Sequence, residues 1–78
     1  MSPMQRLGEV VRTAQGLAVV RCADDDHPDV GTEAVDEQLN EVGRVVDVFG
    51  PVARPYVAVT PEEGTTLATL LGQKLYAR

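Results

Sequence analysis

The chain has 78 residues, a formal net charge of −5, one cysteine, three aromatic residues and no tryptophan. A chain of this length makes one domain, residues 1–78, and buries only about 60% of the surface its unfolded form exposes, which leaves little room for an enzyme with its own deep pocket. The acidic balance argues against a general RNA binder, which needs Lys and Arg to displace counterions from phosphates; the scarcity of rings argues against a base-stacking platform.

Cys22 stands alone, which rules out an intrachain disulfide and a cysteine-based metal site. No apolar run approaches twenty residues and no signal peptide opens the sequence, so a soluble cytoplasmic protein is expected, by elimination. The single lysine and the acidic surplus also suit an archaeal cell interior rich in salt. At molar salt the Debye length is about 3 Å, which loosens any link between net charge and partner.

In chain order, Met1 to Arg6 lacks periodicity and is expected to be a flexible, frayed end. Leu7–Thr13 predicts a first strand, Ala14-Gln15-Gly16 a three-residue turn, and Leu17–Cys22 the second strand of a hairpin. Ala23–Gly31 reads as a loop, Glu33–Asp36 as a short third strand, and Glu37–Asn40 as a connection. Val42–Phe49 is rich in β-branched residues and predicts the fourth strand. Gly50-Pro51 ends it, because Pro51 has no N–H for a ladder and Gly50 tolerates unusual dihedrals. Arg54-Pro55 fixes the re-entry, since a residue before proline is pushed to extended conformations, and Pro55–Val59 is the fifth strand. Thr60-Pro61-Glu62-Glu63 has capping-box spacing with proline at a first helical position, so one or two helical turns are expected within Pro61–Leu71, closed by Gly72. Lys74–Ala77 is the last strand. Six short strands separated by turn signals predict an all-β fold, a small closed six-stranded β-barrel with one short helical turn near the C-terminus.

Strict alternation of apolar and polar residues fails in Leu17-Ala18-Val19-Val20, Val45-Val46 and Tyr56-Val57-Ala58-Val59. A small barrel has one interior, so these runs place apolar groups on its outer face as well, and such a face suits a partner. Next to it lies the tip Phe49-Gly50-Pro51-Val52-Ala53-Arg54-Pro55-Tyr56. Two prolines stiffen the connection, so little ordering entropy opposes binding there, and aromatic and arginine anchors carry interface energy disproportionately. Phe49, Gly50, Pro51, Val52, Arg54, Pro55 and Tyr56 are therefore the candidate partner-binding residues. The alternative for Phe49 and Tyr56 is that their rings cap the barrel core.

No constellation supports catalysis, a metal or a cofactor. Asp47, inside an apolar strand, is read as a buried carboxylate bonded to backbone N–H groups at the neighbouring turn, and no second carboxylate is fixed relative to it. Asp24-Asp25-Asp26-His27 lacks the spacing of a calcium loop and has too few histidines for zinc, so a solvated loop is the reading. Ser2 lies in the expected frayed end, which removes it as a nucleophile, and Cys22 is expected to be a buried inert thiol. The glycines form no phosphate-cradling pattern, and no small-molecule substrate is expected.

The run Gly43-x-Val45-x-Asp47-x-Phe49-Gly50-Pro51-Val52-x-x-Pro55-Tyr56-x-x-Val59 resembles the signature of the glycine-arginine-rich (GAR-type) protein subunit of archaeal H/ACA ribonucleoproteins, and Leu71-Gly72-Gln73-Lys74-Leu75-Tyr76 looks like that family's closing strand. The resemblance implies a six-stranded barrel of the translation-factor/reductase type. It implies a non-catalytic subunit of an RNA-guided pseudouridylation complex, working in rRNA modification and ribosome biogenesis. Its partner would be the catalytic domain of the pseudouridine synthase, a mobile loop of which it would influence; guide and substrate RNA would be met only indirectly. No Gly/Arg-rich tail flanks the motif in these 78 residues, as is common in archaeal members. Two alternatives share the architecture: the barrel of the assembly factor that holds the same synthase before maturation, whose extra regions are not seen here, and small barrels that bind ribosomal proteins, against which Phe49 to Tyr56 argues. A flavin-reductase-type enzyme would need a longer chain.

Overall fold

The computed structural model describes residues 5–23 and 25–78. The expected frayed end at Met1–Met4, Ser2 within it, and Asp24 of the acidic loop lie outside the described residues. Six strands and one helical turn follow in order: β1 (Gln5–Ala14), β2 (Leu17–Cys22), β3 (Glu33–Val35), β4 (Glu41–Phe49), β5 (Tyr56–Pro61), α1 (Leu67–Leu70) and β6 (Lys74–Ala77). All neighbours are antiparallel and the sheet closes into a barrel in the order β1-β2-β5-β4-β3-β6.

The ends of several strands differ from the sequence reading, each for a tertiary reason. β1 starts at Gln5 because Gln5 and Arg6 pair with Ala77 and Tyr76 of the last strand, so these two residues are not part of a frayed end. The β1–β2 turn has two residues rather than three: Gln15 (φ 54°) and Gly16 (φ 78°) both adopt left-handed dihedrals, the geometry that matches strand twist in a tight hairpin. β5 runs on through Thr60 and Pro61, which pair with Arg44 and Gly43. Thr60 therefore caps no helix; α1 begins later, after Thr66.

The core is aliphatic and small. Leu7, Val10, Val20, Val45, Val57, Val59, Leu70 and Leu75 are each at most 2% exposed and belong to one cluster. α1 contributes Leu70 to it, with Leu67 packed against its edge. Full burial of each such side chain is worth about 1.5–3 kcal/mol relative to exposure. None of the three aromatic rings belongs to this cluster.

A bulge explains the broken alternation at Val45-Val46, and a second one lies on β1; the β2 and β5 runs pair without a shift. The β1–β2 register shifts at Val11 and the β4–β5 register at Val46, so one extra residue on each strand faces no partner. Val11 and Val46 are 39% and 41% exposed, while Val10 and Val45 stay inside. β4 and β5 approach so closely at Gly43 that a Cβ there would collide with the Thr60 carbonyl oxygen, so only glycine fits. Closure at the short β3–β6 seam is reinforced by the last residue: the Arg78 N–H donates to the Glu33 carbonyl (3.0 Å) and its guanidinium to Glu41 Oε1 (3.2 Å).

Candidate functional site

The β4–β5 connection is built mainly from backbone restraints. The Arg54 N–H donates to the Pro51 carbonyl (3.2 Å), which closes the turn. Gly50 takes φ 90°, and a Cβ at that position would sit 2.7 Å from the Tyr56 ring. The base of the loop is tied to β2: the Cys22 N–H donates to the Pro55 carbonyl (3.0 Å) and the Arg54 Nε–H to the Cys22 carbonyl (3.3 Å). Pro55 is buried beneath it.

Phe49 and Tyr56 are cross-strand partners, and their rings stack at 5.6 Å between centroids with an interplanar angle of 20°. Both stand on the outer face, since their neighbours Val48 and Val57 point to the core. The alternative in which these rings cap the core is thereby removed. Phe49, Gly50, Pro51, Val52 and Pro55 line one open groove of about 240 Å³ with Asp25 and His27, and Val52 at the apex is 90% exposed. Arg54 does not join them. It turns back toward Cys22 and lines a different groove with Arg6, Glu9, Arg21 and Lys74.

The outer apolar face is continuous with the tip. Val19 and Ala58 are paired across β2 and β5, and both lie outside the core cluster although they are only 4% and 5% exposed. They share a groove of about 250 Å³ with Leu17, Phe49, Arg12 and Asp47. Asp47 is exposed, which corrects the reading of a buried carboxylate. The bulge at Val46 turns it outward, where its Oδ1 accepts from the Val48 N–H (2.9 Å). Asp25, Asp26 and His27 are exposed, and Cys22 is buried. Among the described residues no group of His, Cys, Asp and Glu could hold a metal ion.

One structural carboxylate escaped the sequence reading. Asp36 leaves β3 one residue early and caps the β3–β4 connection: its Oδ1 accepts from the Gln38 and Asn40 N–H groups (2.9 Å each) and its Oδ2 from the Asn40 side-chain amide (3.3 Å). The Asn40 N–H is the main cause that holds this carboxyl below its ordinary value of 3.8, against an opposing desolvation. The Asp-x-x-x-Asn spacing before a strand was the available signal.

Together these features define a small closed barrel with its aromatic pair turned outward beside a stiff loop. The sequence matches, over residues 4–78, the family model described as the Gar1/Naf1 RNA binding region. The chain belongs to the Gar1/Naf1 family, whose proteins are associated with H/ACA ribonucleoproteins. Among solved structures it is similar to one described as the Gar1 domain of NAf1, with a TM-score of 0.71 and 12% identity over 97% of this chain and 83% of that one. At that identity the likeness is one of fold. No curated protein matches the sequence.

Proposed function

We propose that this chain is a non-catalytic barrel subunit of an H/ACA guide-RNA pseudouridylation particle. It docks on the catalytic domain of the pseudouridine synthase through the β4–β5 tip, where Phe49 and Val52 are exposed. The observation that carries this reading is the stacked Phe49–Tyr56 pair held outside the core on a proline-stiffened frame. Rings on a preformed surface give contact area at low ordering cost, which is the composition of an interface anchor.

The chemistry on uridine belongs to the partner. The barrel acts by population shift: it binds one position of a mobile element of the synthase better than another, and so favours the state that loads substrate or releases product. The size of that shift is bounded by its differential affinity for the two positions. An assembly-factor role is the second reading, supported by the family model, which spans Gar1 and Naf1 alike. The two separate on one point: a core subunit remains in the active particle, whereas an assembly factor leaves before activity appears.

Turnover in a reconstituted particle tests the proposal. Omitting the barrel is expected to slow multiple turnover while the first turnover stays near its full rate. A first turnover lost in a fully assembled particle would place this chain in the chemical step and overturn the reading.

A further inference from the structure

Folding gathers four of the seven basic residues on one face. Arg44 and Arg78 sit within 4.0 Å of Glu33, and Arg12 shares its groove with Asp47. Arg6, Arg21, Arg54 and Lys74 instead line one open groove of about 220 Å³, with Glu9, Val11 and Ala23 beside them. Strand register makes the cluster. Glu9 on β1 pairs with Arg21 on β2 and with Lys74 on β6, so the three exposed side chains form a row about 10 Å long, two strand spacings. The irregularity between Arg6 and Gly8 brings Arg6 to the same face. Arg54 enters from the β4–β5 loop; its Nε–H donates to the Cys22 carbonyl (3.3 Å), and its terminal nitrogens meet no acceptor among the described residues. The bulge at Val11 leaves that side chain outside, 39% exposed, where it lines the groove.

The groove therefore holds four cations against one carboxylate, and among the described residues none of the four makes a salt bridge. Gathering unpaired like charges raises their mutual repulsion, and an anionic partner bound among them relieves it. We infer that this groove binds an acidic segment of a protein partner, an extended stretch that presents two carboxylates and an aliphatic side chain on one face. Alternate residues of an extended chain stand about 7 Å apart on one face, a spacing that brings two carboxylates within reach of Arg21 and Lys74 together. The guanidiniums offer forked donors that match a carboxylate, and Lys74 adds a point charge. Val11 gives the aliphatic side chain a surface to cover. Glu9, which a bare anion would avoid, is an acceptor for the N–H groups of a peptide backbone. A single-stranded RNA is the weaker occupant. Its charge continues past the groove over a chain of net charge −5, its bases find no ring in the groove to stack on, and its phosphates gain nothing from Val11. The inference goes beyond docking on a synthase through the tip and stands without it.

Fluorescence anisotropy of a labelled peptide, titrated with the full chain alone, tests it. The peptide carries two glutamates and a valine at alternate positions, with serines between them. Synthase is absent, so a failure of the docking proposal cannot affect the result. The expected outcome is weak binding that strengthens as salt is lowered. A peptide with glutamines in place of the glutamates should bind about tenfold more weakly. At about 0.1 M salt, where the Debye length is about 10 Å, Arg21→Glu and Lys74→Glu should each weaken binding about fivefold. Arg44→Glu makes the same change in net charge outside the groove and should alter affinity less than about twofold, as screening of distant charges dictates. Val11→Ser should weaken binding about threefold through lost apolar contact, an effect that charge alone does not produce. Glu9→Gln keeps an acceptor oxygen and removes the one negative charge, so it should tighten binding; it also carries the test if a charge reversal unfolds the barrel, which melting curves would reveal. No binding at low salt, equal affinity for the glutamine peptide, or an equal loss in Arg44→Glu would overturn the inference. So would an unstructured RNA oligonucleotide of equal charge that binds through the same residues more tightly than the peptide.

Discussion

The β3–β4 connection, Asp36–Asn40, and the β4–β5 connection, Gly50–Pro55, both link antiparallel neighbours through one shared strand, but they are held differently. In the first, two backbone bonds, from the Asp36 N–H to the Asn40 carbonyl and from the Leu39 N–H to the Asp36 carbonyl (3.0 Å each), are joined by a side-chain fastening: both Asp36 oxygens are engaged with Gln38 and Asn40. In the second, the restraints are the dihedrals of Gly50, Pro51 and Pro55 and the tie between Pro55 and Cys22. A loop fastened by its polar side chains has those groups committed to itself. A loop fastened mostly through backbone leaves Val52, Phe49 and Tyr56 available to a partner. The difference teaches where to look for recognition in a small barrel: at the loop whose shape does not depend on the side chains it displays.

The largest expected effect comes from removing a displayed ring. Tyr56→Ala should weaken synthase binding by about 2 kcal/mol or more, as loss of an interface anchor does, and lower stability by about 1 kcal/mol through the lost stack on Phe49. Calorimetric titration and thermal melts measure the two separately. Asp36→Ala sharpens the contrast from the other side. It should cost about 1 kcal/mol of stability, the typical loss for a side-chain cap, with synthase affinity unchanged. If Asp36→Ala weakened binding as much as Tyr56→Ala, the two connections would not divide structural and recognition roles.

The smallest effect is in pH. The folded-state carboxyl of Asp36 lies below its ordinary 3.8, so its contribution to stability is fully present above that value and is lost as pH falls through the depressed folded value. Urea melts of the two proteins should therefore differ near neutral pH and converge in strong acid. A constant difference across the whole range would mean that Asp36 acts through something other than its ionised cap.

Elements set by local chemistry were legible in the sequence. Gly50, Pro51 and Pro55 dictate their own dihedrals, and β2 and β6 follow from short apolar runs with turn residues beside them. The closed six-stranded barrel follows from six such runs. Features decided across strands were not legible. The position of Asp47 depends on a bulge at Val46 that one strand read alone cannot reveal. The continuation of β5 through Pro61 depends on Gly43 facing it, which overrides the helix-start signal at Thr60. The basic groove was hidden for the same reason: Arg6, Arg21, Arg54 and Lys74 come from three strands and a loop, and only the register makes them neighbours. The tip residues were recognised together, yet the fold parts Arg54 from the rest, because its guanidinium reaches back to β2.

The central claim is that the displayed tip, held by backbone restraints, is the anchor for the synthase, and Val52 tests it most directly. Its side chain is 90% exposed, so Val52→Asp should leave the melting temperature unchanged. In a titration against purified pseudouridine synthase, the account predicts that this charge in an apolar contact lowers affinity by about 2 kcal/mol or more. Undiminished affinity of Val52→Asp would contradict it and place the interface on another face of the barrel.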